Sequence, residues 1–203
     1  ICSSVTHKLS FVARLLQRIN MKKPYLILTL TVFALSSCII PESNHVEPDF
    51  YLLSNTVQDQ NQSKVNEDHS FYLREIELPE YLKDSRLVLR PTPHTIKFRE
   101  VDRWGEPLED GIARVLAMNL QDQSNNSRYS IFPNRRKEGL RWDLAVSFSS
   151  FERIMNDRVS ISAKWSARGG DGTTISDSFS FEYVLPLPGD ESDELKAYNL
   201  ALY

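Results

Sequence analysis

The side chains able to do chemistry are few, and their spacing narrows what they can do. The histidines His7, His45, His69 and His94 are scattered without ligand spacing, and no cysteine stands in a pattern to help them, so no metal site is expected. There is no Gly-x-Ser-x-Gly elbow, no Ser-x-x-Lys and no phosphate loop. Carboxylates are plentiful, but none forms a recognisable acid/base pair, so the chain is read as non-catalytic. Gly169-Gly170-Asp171-Gly172 could offer backbone amides to an anion, although a hairpin turn is the commoner use of such a run. The basic cluster Arg135-Arg136-Lys137 with Arg141 reads as a solvated loop. What remains is one thiol in an unusual place: Cys38, directly after Leu35-Ser36-Ser37 at the end of an apolar run.

The segment leading to that thiol is basic and apolar. Residues 1–37 carry Lys8, Arg14, Arg18, Lys22 and Lys23 and no Asp or Glu. Met21-Lys22-Lys23 precedes the apolar core Tyr25–Leu35, whose 11 residues suit a signal h-region and fall short of the roughly 20 that a spanning helix needs. Leu35-Ser36-Ser37-Cys38 resembles a bacterial lipobox. That resemblance implies diacylglycerol in thioether linkage to the Cys38 sulfur, cleavage before Cys38, and acylation of the new amino terminus. No other cofactor is expected. Each buried CH₂ contributes ~0.8 kcal/mol, so three acyl chains would hold the chain on a bilayer. Ile39, where inner-membrane lipoproteins carry Asp, resembles the class forwarded to the outer membrane of Gram-negative cells. Cys2 would be lost with the leader, leaving a mature domain without disulfides.

The rest of the chain has the composition of one ordinary globular domain. Of 203 residues, 41% are hydrophobic and 10% aromatic, against disorder, and a mean hydropathy of -0.37 excludes a polytopic membrane protein. The formal net charge of -3 gives no basic excess for nucleic-acid binding. The organisation read from these features is an upstream extension over 1–20, a lipoprotein signal over 21–37, a lipidated tether over 38–49 with Pro41 and Pro48, and a periplasmic domain over 50–203.

Several elements must position that domain's surfaces. Phe50–Leu53 reads as a short strand, 54–69 as a polar loop, and Phe71–Leu78 as a strand covered on both sides and ended by Pro79. Arg86–Arg90 and Thr95–Arg99 are read as two short strands of a hairpin flanking Pro91-Thr92-Pro93. Pro107 opens a helix with Leu108, Ile112, Val115, Leu116 and Leu120 on one face, and Asp110 and Arg114 one turn apart on the exposed side. Alternation over 142–149, 159–167 and 175–183 predicts three strands with one apolar face and one serine-rich, solvated face. Residues 190–203 read as a final helix that stops abruptly, as if truncated. The fold class expected is α/β (α+β): a compact single domain with a mixed, largely antiparallel sheet packed by a few helices.

The most distinctive run in the body is Asp102-Arg103-Trp104-Gly105-Glu106-Pro107-Leu108, where a Trp before a Pro-initiated helix is most simply a core or staple residue. This run, the lipobox, Phe50-Tyr51-Leu52-Leu53 and Tyr72–Leu82 together resemble the ABC-type transport auxiliary lipoproteins, the PqiC-like family. The match spans most of residues 38–183. Two departures mark this chain: Gly105 stands where Ala is commoner, and the final helix is shorter than the family's. The resemblance implies a non-catalytic lipoprotein on the periplasmic face of the outer membrane, an accessory of MCE-type intermembrane lipid transport that docks the tunnel protein's distal end. It implies an MCE-domain partner, self-association into a homo-oligomer, and a membrane contact through the lipid anchor, with no nucleic acid and no nucleotide bound. By that analogy Asp102, Arg103, Trp104 and Glu106 are candidate partner contacts. A periplasmic lipid-binding chaperone is the alternative.

Overall fold

A computed structural model describes residues 46–55, 70–124, 128–155, 157–186 and 189–203. Leu35, Ser36, Ser37 and Cys38 lie outside the described residues, as does most of the expected tether. The compact unit runs from Val46 to Tyr203.

Among the described residues, eight strands form one mixed sheet: β1 (Asp49–Tyr51), β2 (Phe71–Leu73), β3 (Arg86–Thr92), β4 (Thr95–Trp104), β5 (Tyr129–Ile131), β6 (Trp142–Ile154), β7 (Arg158–Gly169) and β8 (Thr174–Val184). Two helices, α1 (Leu108–Ser124) and α2 (Glu191–Ala201), pack on it. The long pairings β3–β4, β6–β7 and β7–β8 are antiparallel, while β1–β4, β2–β5, β2–β6 and β3–β6 are short and parallel. This is the α+β architecture expected from the sequence.

β6 organises the sheet. One of its edges carries β7 along nearly its whole length, and its other edge is shared, by β2 at Trp142–Leu144 and by β3 at Arg153 and Ile154. Trp142, Leu144, Val146 and Phe148 alternate as the sequence predicts, but a register shift between Phe148 and Ser150 then advances the phase. Phe151 thereby turns inward like Phe148, and the two rings meet edge to face with centroids 5.8 Å apart.

Several boundaries differ from the sequence reading. The strand expected over 71–78 ends at Leu73, with Glu77 adding an isolated bridge to Ser147, because Pro79 and a 3-10 turn at Glu80–Leu82 take the chain away from the sheet. The hairpin of β3 and β4 is longer than expected: β3 runs through Pro91 and β4 continues to Trp104. The serine-rich side of the sheet is not wholly solvated, since Glu152 is 1% exposed beneath Tyr81. Nor is the apolar side wholly covered. Ile175, Phe179 and Tyr183 of β8 are 50%, 38% and 37% exposed, although Phe181 on the same face packs against the core, because α2 reaches the sheet at β7 and the last strand lies at its rim.

Candidate functional site

The conspicuous run Asp102–Leu108 joins the end of β4 to α1. β1 pairs parallel with β4, placing Tyr51 beside Trp104, and the Gly105 amide donates to the Tyr51 carbonyl at 2.8 Å. A Cβ at position 105 would come within 3.2 Å of the Leu52 side chain, so glycine leaves room for Leu52 against the turn. Leu108 opens α1, with Glu109 and Asp110 in a first turn whose free amides favour negative charge.

The four candidate contact residues divide. Trp104 is 7% exposed and packs among aromatic rings, 6.4 Å from Phe151 and 5.9 Å from Tyr198, centroid to centroid. Asp102 is 8% exposed; it accepts from Arg99 at 3.0 Å and from the Tyr51 hydroxyl at 3.4 Å. Neither side chain is presented to a partner. Arg103 is half-buried, and its Nε has no hydrogen-bond partner among the described residues. Glu106, also half-buried, accepts from Arg114, which in addition donates to the Leu53 carbonyl at 2.9 Å. Arg114 therefore joins the turn to the segment just after β1. Arg103 and Glu106 are the members of the set left within reach of solvent.

A buried ionic cluster, which sequence reasoning missed, locks α2 to the sheet. Glu194 is 0% exposed, accepts from Arg99 and from the Tyr198 hydroxyl at 2.8 Å, and lies 3.4 Å from an Arg153 guanidinium nitrogen. Arg99 also reaches Glu191 at 3.1 Å. Burial, with the Glu194 charge adding to it, pushes the Tyr198 phenol well above its usual range. Burial likewise raises the Tyr51 phenol to about 12, reinforced by the neighbouring Asp102 charge. On the other face Tyr81 is raised to about 12 by burial and by its bond to Glu152 at 2.7 Å. Phenols this weakly acidic stay protonated and serve as hydrogen-bond donors to carboxylates, a structural office rather than proton transfer. Among the described residues no group of three or more His, Cys, Asp or Glu could hold a metal ion.

An apolar groove lies between α1, the sheet and the end of the chain. It has a volume of about 410 Å³ and is walled by residues such as Leu116, Leu120, Leu144, Phe148, Trp165 and Phe179, with Leu202 at its α2 side. That volume falls within the roughly 300–1,000 Å³ of small-molecule sites. Asn119, 2% exposed, lines the groove, donates to the Leu202 carbonyl at 2.9 Å, and has an Oδ1 without a partner among the described residues. The basic loop behaves as expected at Arg135 and Lys137, which are exposed, while Arg136 is tied to Asp143 at 2.6 Å.

The sequence pattern of the ABC-type transport auxiliary lipoprotein component family matches residues 51–202. The chain belongs to that family. Two solved structures share the fold of this auxiliary lipoprotein. A crystal structure of an uncharacterized protein superposes with a TM-score of 0.63 at 16% identity, covering 77% of this chain and 92% of its own. Protein XCC0632 from Xanthomonas campestris superposes with a TM-score of 0.62 at 14% identity, covering 76% and 88%. No curated protein matches the auxiliary lipoprotein. Membership makes it a transport auxiliary component, and no described residue cluster argues for catalysis.

Proposed function

We propose that this lipoprotein is anchored through Cys38 to the periplasmic face of the outer membrane and docks the distal end of an MCE-domain tunnel protein in intermembrane lipid transport. The observation that carries the reading is the family match over residues 51–202, which describes a lipoprotein serving an ABC-type transporter. Leu35-Ser36-Ser37-Cys38 supplies the anchor, Ile39 the sorting to the outer membrane, and diacylglycerol with an N-acyl chain the covalent lipid. The role is non-catalytic, and self-association into a homo-oligomer belongs to the same reading. Among the candidate contacts, Arg103 and Glu106 remain able to meet a partner. The lipidated protein, extracted in detergent and used as bait, should recover an MCE-domain protein; repeated recovery of none would defeat the docking role. Cys38→Ala should leave the protein absent from outer-membrane fractions, and unchanged fractionation would refute the anchor.

The apolar groove favours the second reading, a lipid-binding chaperone. An acyl chain there would bury apolar surface, and a hydroxyl or amide near its end would meet the unpartnered Asn119 Oδ1. Native mass spectrometry should then find lipid on the purified protein, and Leu120→Trp, which fills the groove, should abolish it. Protein that is free of lipid without the substitution would dispose of this reading.

A further inference from the structure

β8 is an unusual edge. Among the described residues it pairs with β7 alone, through eleven residues from Arg168↔Thr174 to Arg158↔Val184 without a bulge. Its outer row of N–H and C=O groups has no described strand beside it. Exposed edges are ordinarily blunted by charges, proline, bulges or shortness; β8 is long and has no lysine, proline or bulge, and its charges are Asp177, on the apolar face, and Glu182. Its apolar face is only partly covered: Phe179, Phe181 and Tyr183 stack in a ladder with centroids 6.3 Å and 6.4 Å apart, Phe181 packs against the core, and Phe179 and Tyr183 remain over one-third exposed.

We propose that β8 is a self-association edge, along which two copies of this chain pair antiparallel about a two-fold axis at Phe179. The inference rests on the self-association in the reading above and not on the identity of the transport partner. Full overlap of the strand with its own copy sets Thr174 opposite the partner's Val184, and every other pairing follows. Phe179 then faces the partner's Phe179, Ile175 the partner's Tyr183, and Asp177 the partner's Phe181. On the opposite side Ser178 faces the partner's Ser180, and Ser176 can donate to the partner's Glu182. No carboxylate stands opposite another, Phe179 meets its copy and Ile175 meets the partner's Tyr183 on the apolar face, and hydroxyls meet on the other at Ser178 and Ser180, cross-strand pairs of the kind that stabilise antiparallel sheets. The unfavourable pair is Asp177 with the partner's Phe181. A slip of one residue would turn the two aromatic ladders to opposite faces. A two-fold contact of this kind is closed, so the paired edges are no longer open to further chains.

Site-specific oxidation of the full chain in detergent tests this. Directly opposed residues in an antiparallel pair have Cα atoms about 4.5–5.5 Å apart, inside the range of roughly 4.4–6.8 Å that a disulfide spans. Phe179→Cys should therefore cross-link to itself nearly completely. Ser176→Cys should not, because six positions at about 3.3 Å each separate it from its own copy. Mixing Ser176→Cys with Glu182→Cys should give a mixed cross-linked dimer. The unsubstituted chain, oxidised in parallel, sets the background, and its sedimentation velocity reports self-association independently. If that chain is oligomeric but Phe179→Cys fails to cross-link, or cross-links no better than Ser176→Cys, the edge proposal is overturned while self-association stands. If the chain is monomeric at every concentration, both fail, and a strand from a different protein becomes the occupant of the edge.

Discussion

Two aromatic clusters of this domain meet opposite fates. Trp104 and Phe151 lie beneath α2 and pack against its Tyr198, with Phe151 and Tyr198 stacked at 4.6 Å and all three rings no more than 7% exposed. Phe179, Phe181 and Tyr183 stack just as regularly on β8, on the same face as the buried Ala163, Ile161 and Val159 of β7, yet Phe179 and Tyr183 stay over one-third exposed. Both come from strand or helix sequences with sound apolar periodicity. What separates them is whether another layer lies above. A buried ionic lock fastens α2 over the first cluster, and nothing described fastens anything over the second. Strand alternation decides which side chains share a face, whereas burial of that face depends on where distant elements dock.

The sharpest break of the comparison is truncation of one ring from each cluster. Phe151→Ala removes a fully buried ring from contact with Trp104, Phe148 and Tyr198, and should cost about 3–5 kcal/mol of stability in urea unfolding. Phe179→Ala, the same chemical change on β8, should cost clearly less, about 1 kcal/mol from its partial burial and its stacking on Phe181, measured at concentrations below any self-association. Equal costs would mean that β8 is covered as thoroughly as the core.

Removing the lock has an effect of similar order by a different route. Glu194→Ala leaves Arg99 and Arg153 facing a buried void, and loss of one partner from a buried ionic cluster costs roughly 3–5 kcal/mol. Hydrogen exchange should show α2 losing protection before the strands do, and the Trp104 fluorescence environment should change with it. If α2 keeps its protection, hydrophobic packing through Ala197 and Tyr198 is sufficient to hold the helix.

The lock was not legible in the sequence, and the reason is physical. Asp190–Glu194 reads as a solvated acidic helix start, and nothing local reveals that Arg99, 95 positions away, turns Glu194 inward. The bulge that redirects Phe151 was hidden in the run Ser149-Ser150, where two polar residues carry no phase. Much else was legible: the α+β class, α1 with its buried Leu108, Ile112 and Val115, the alternation of β6 and β7, and the turn at Gly170–Thr173 closed by Gly172 at φ +90. Of the candidate contact run, the core reading of Trp104 was available from its place before Pro107. The inward turn of Asp102 was not, since it depends on Tyr51 and Arg99 across the sheet.

A smaller test asks how far the N-terminus of α2 contributes to the covered region. Asp190 caps the helix by accepting from the Asp193 amide at 2.9 Å. Asp190→Ala should cost about 1 kcal/mol, and Asp190→Ser should restore most of it. A cost confined to α2 hydrogen exchange, with the global midpoint unchanged, would show that the helix opens as a separate unit over the Trp104 cluster.

The smallest effect lies at the rim of the covered region. Asp84 accepts from both the backbone amide and the guanidinium of Arg86 at 2.9 Å, and these bonds lower its pKa from 3.8 to about 2. A carboxyl whose folded pKa is depressed contributes stability that is complete above the unfolded value and is lost as pH falls through the folded one. The contribution is therefore present above pH 3.8 and disappears toward about pH 2. Arg86→Gln should move the Asp84 titration upward, toward 3.8, in a carboxyl-detected NMR experiment. Arg86→Lys should move it only part of the way, because an ammonium keeps the charge but loses the two-point fork. The pair is open to solvent screening, so the change in unfolding free energy should be the smallest of the series. If Asp84 titrates unchanged in Arg86→Gln, the backbone amide alone holds the carboxylate, and the charge of Arg86 serves its stacking over the Phe98 ring at 4.5 Å instead.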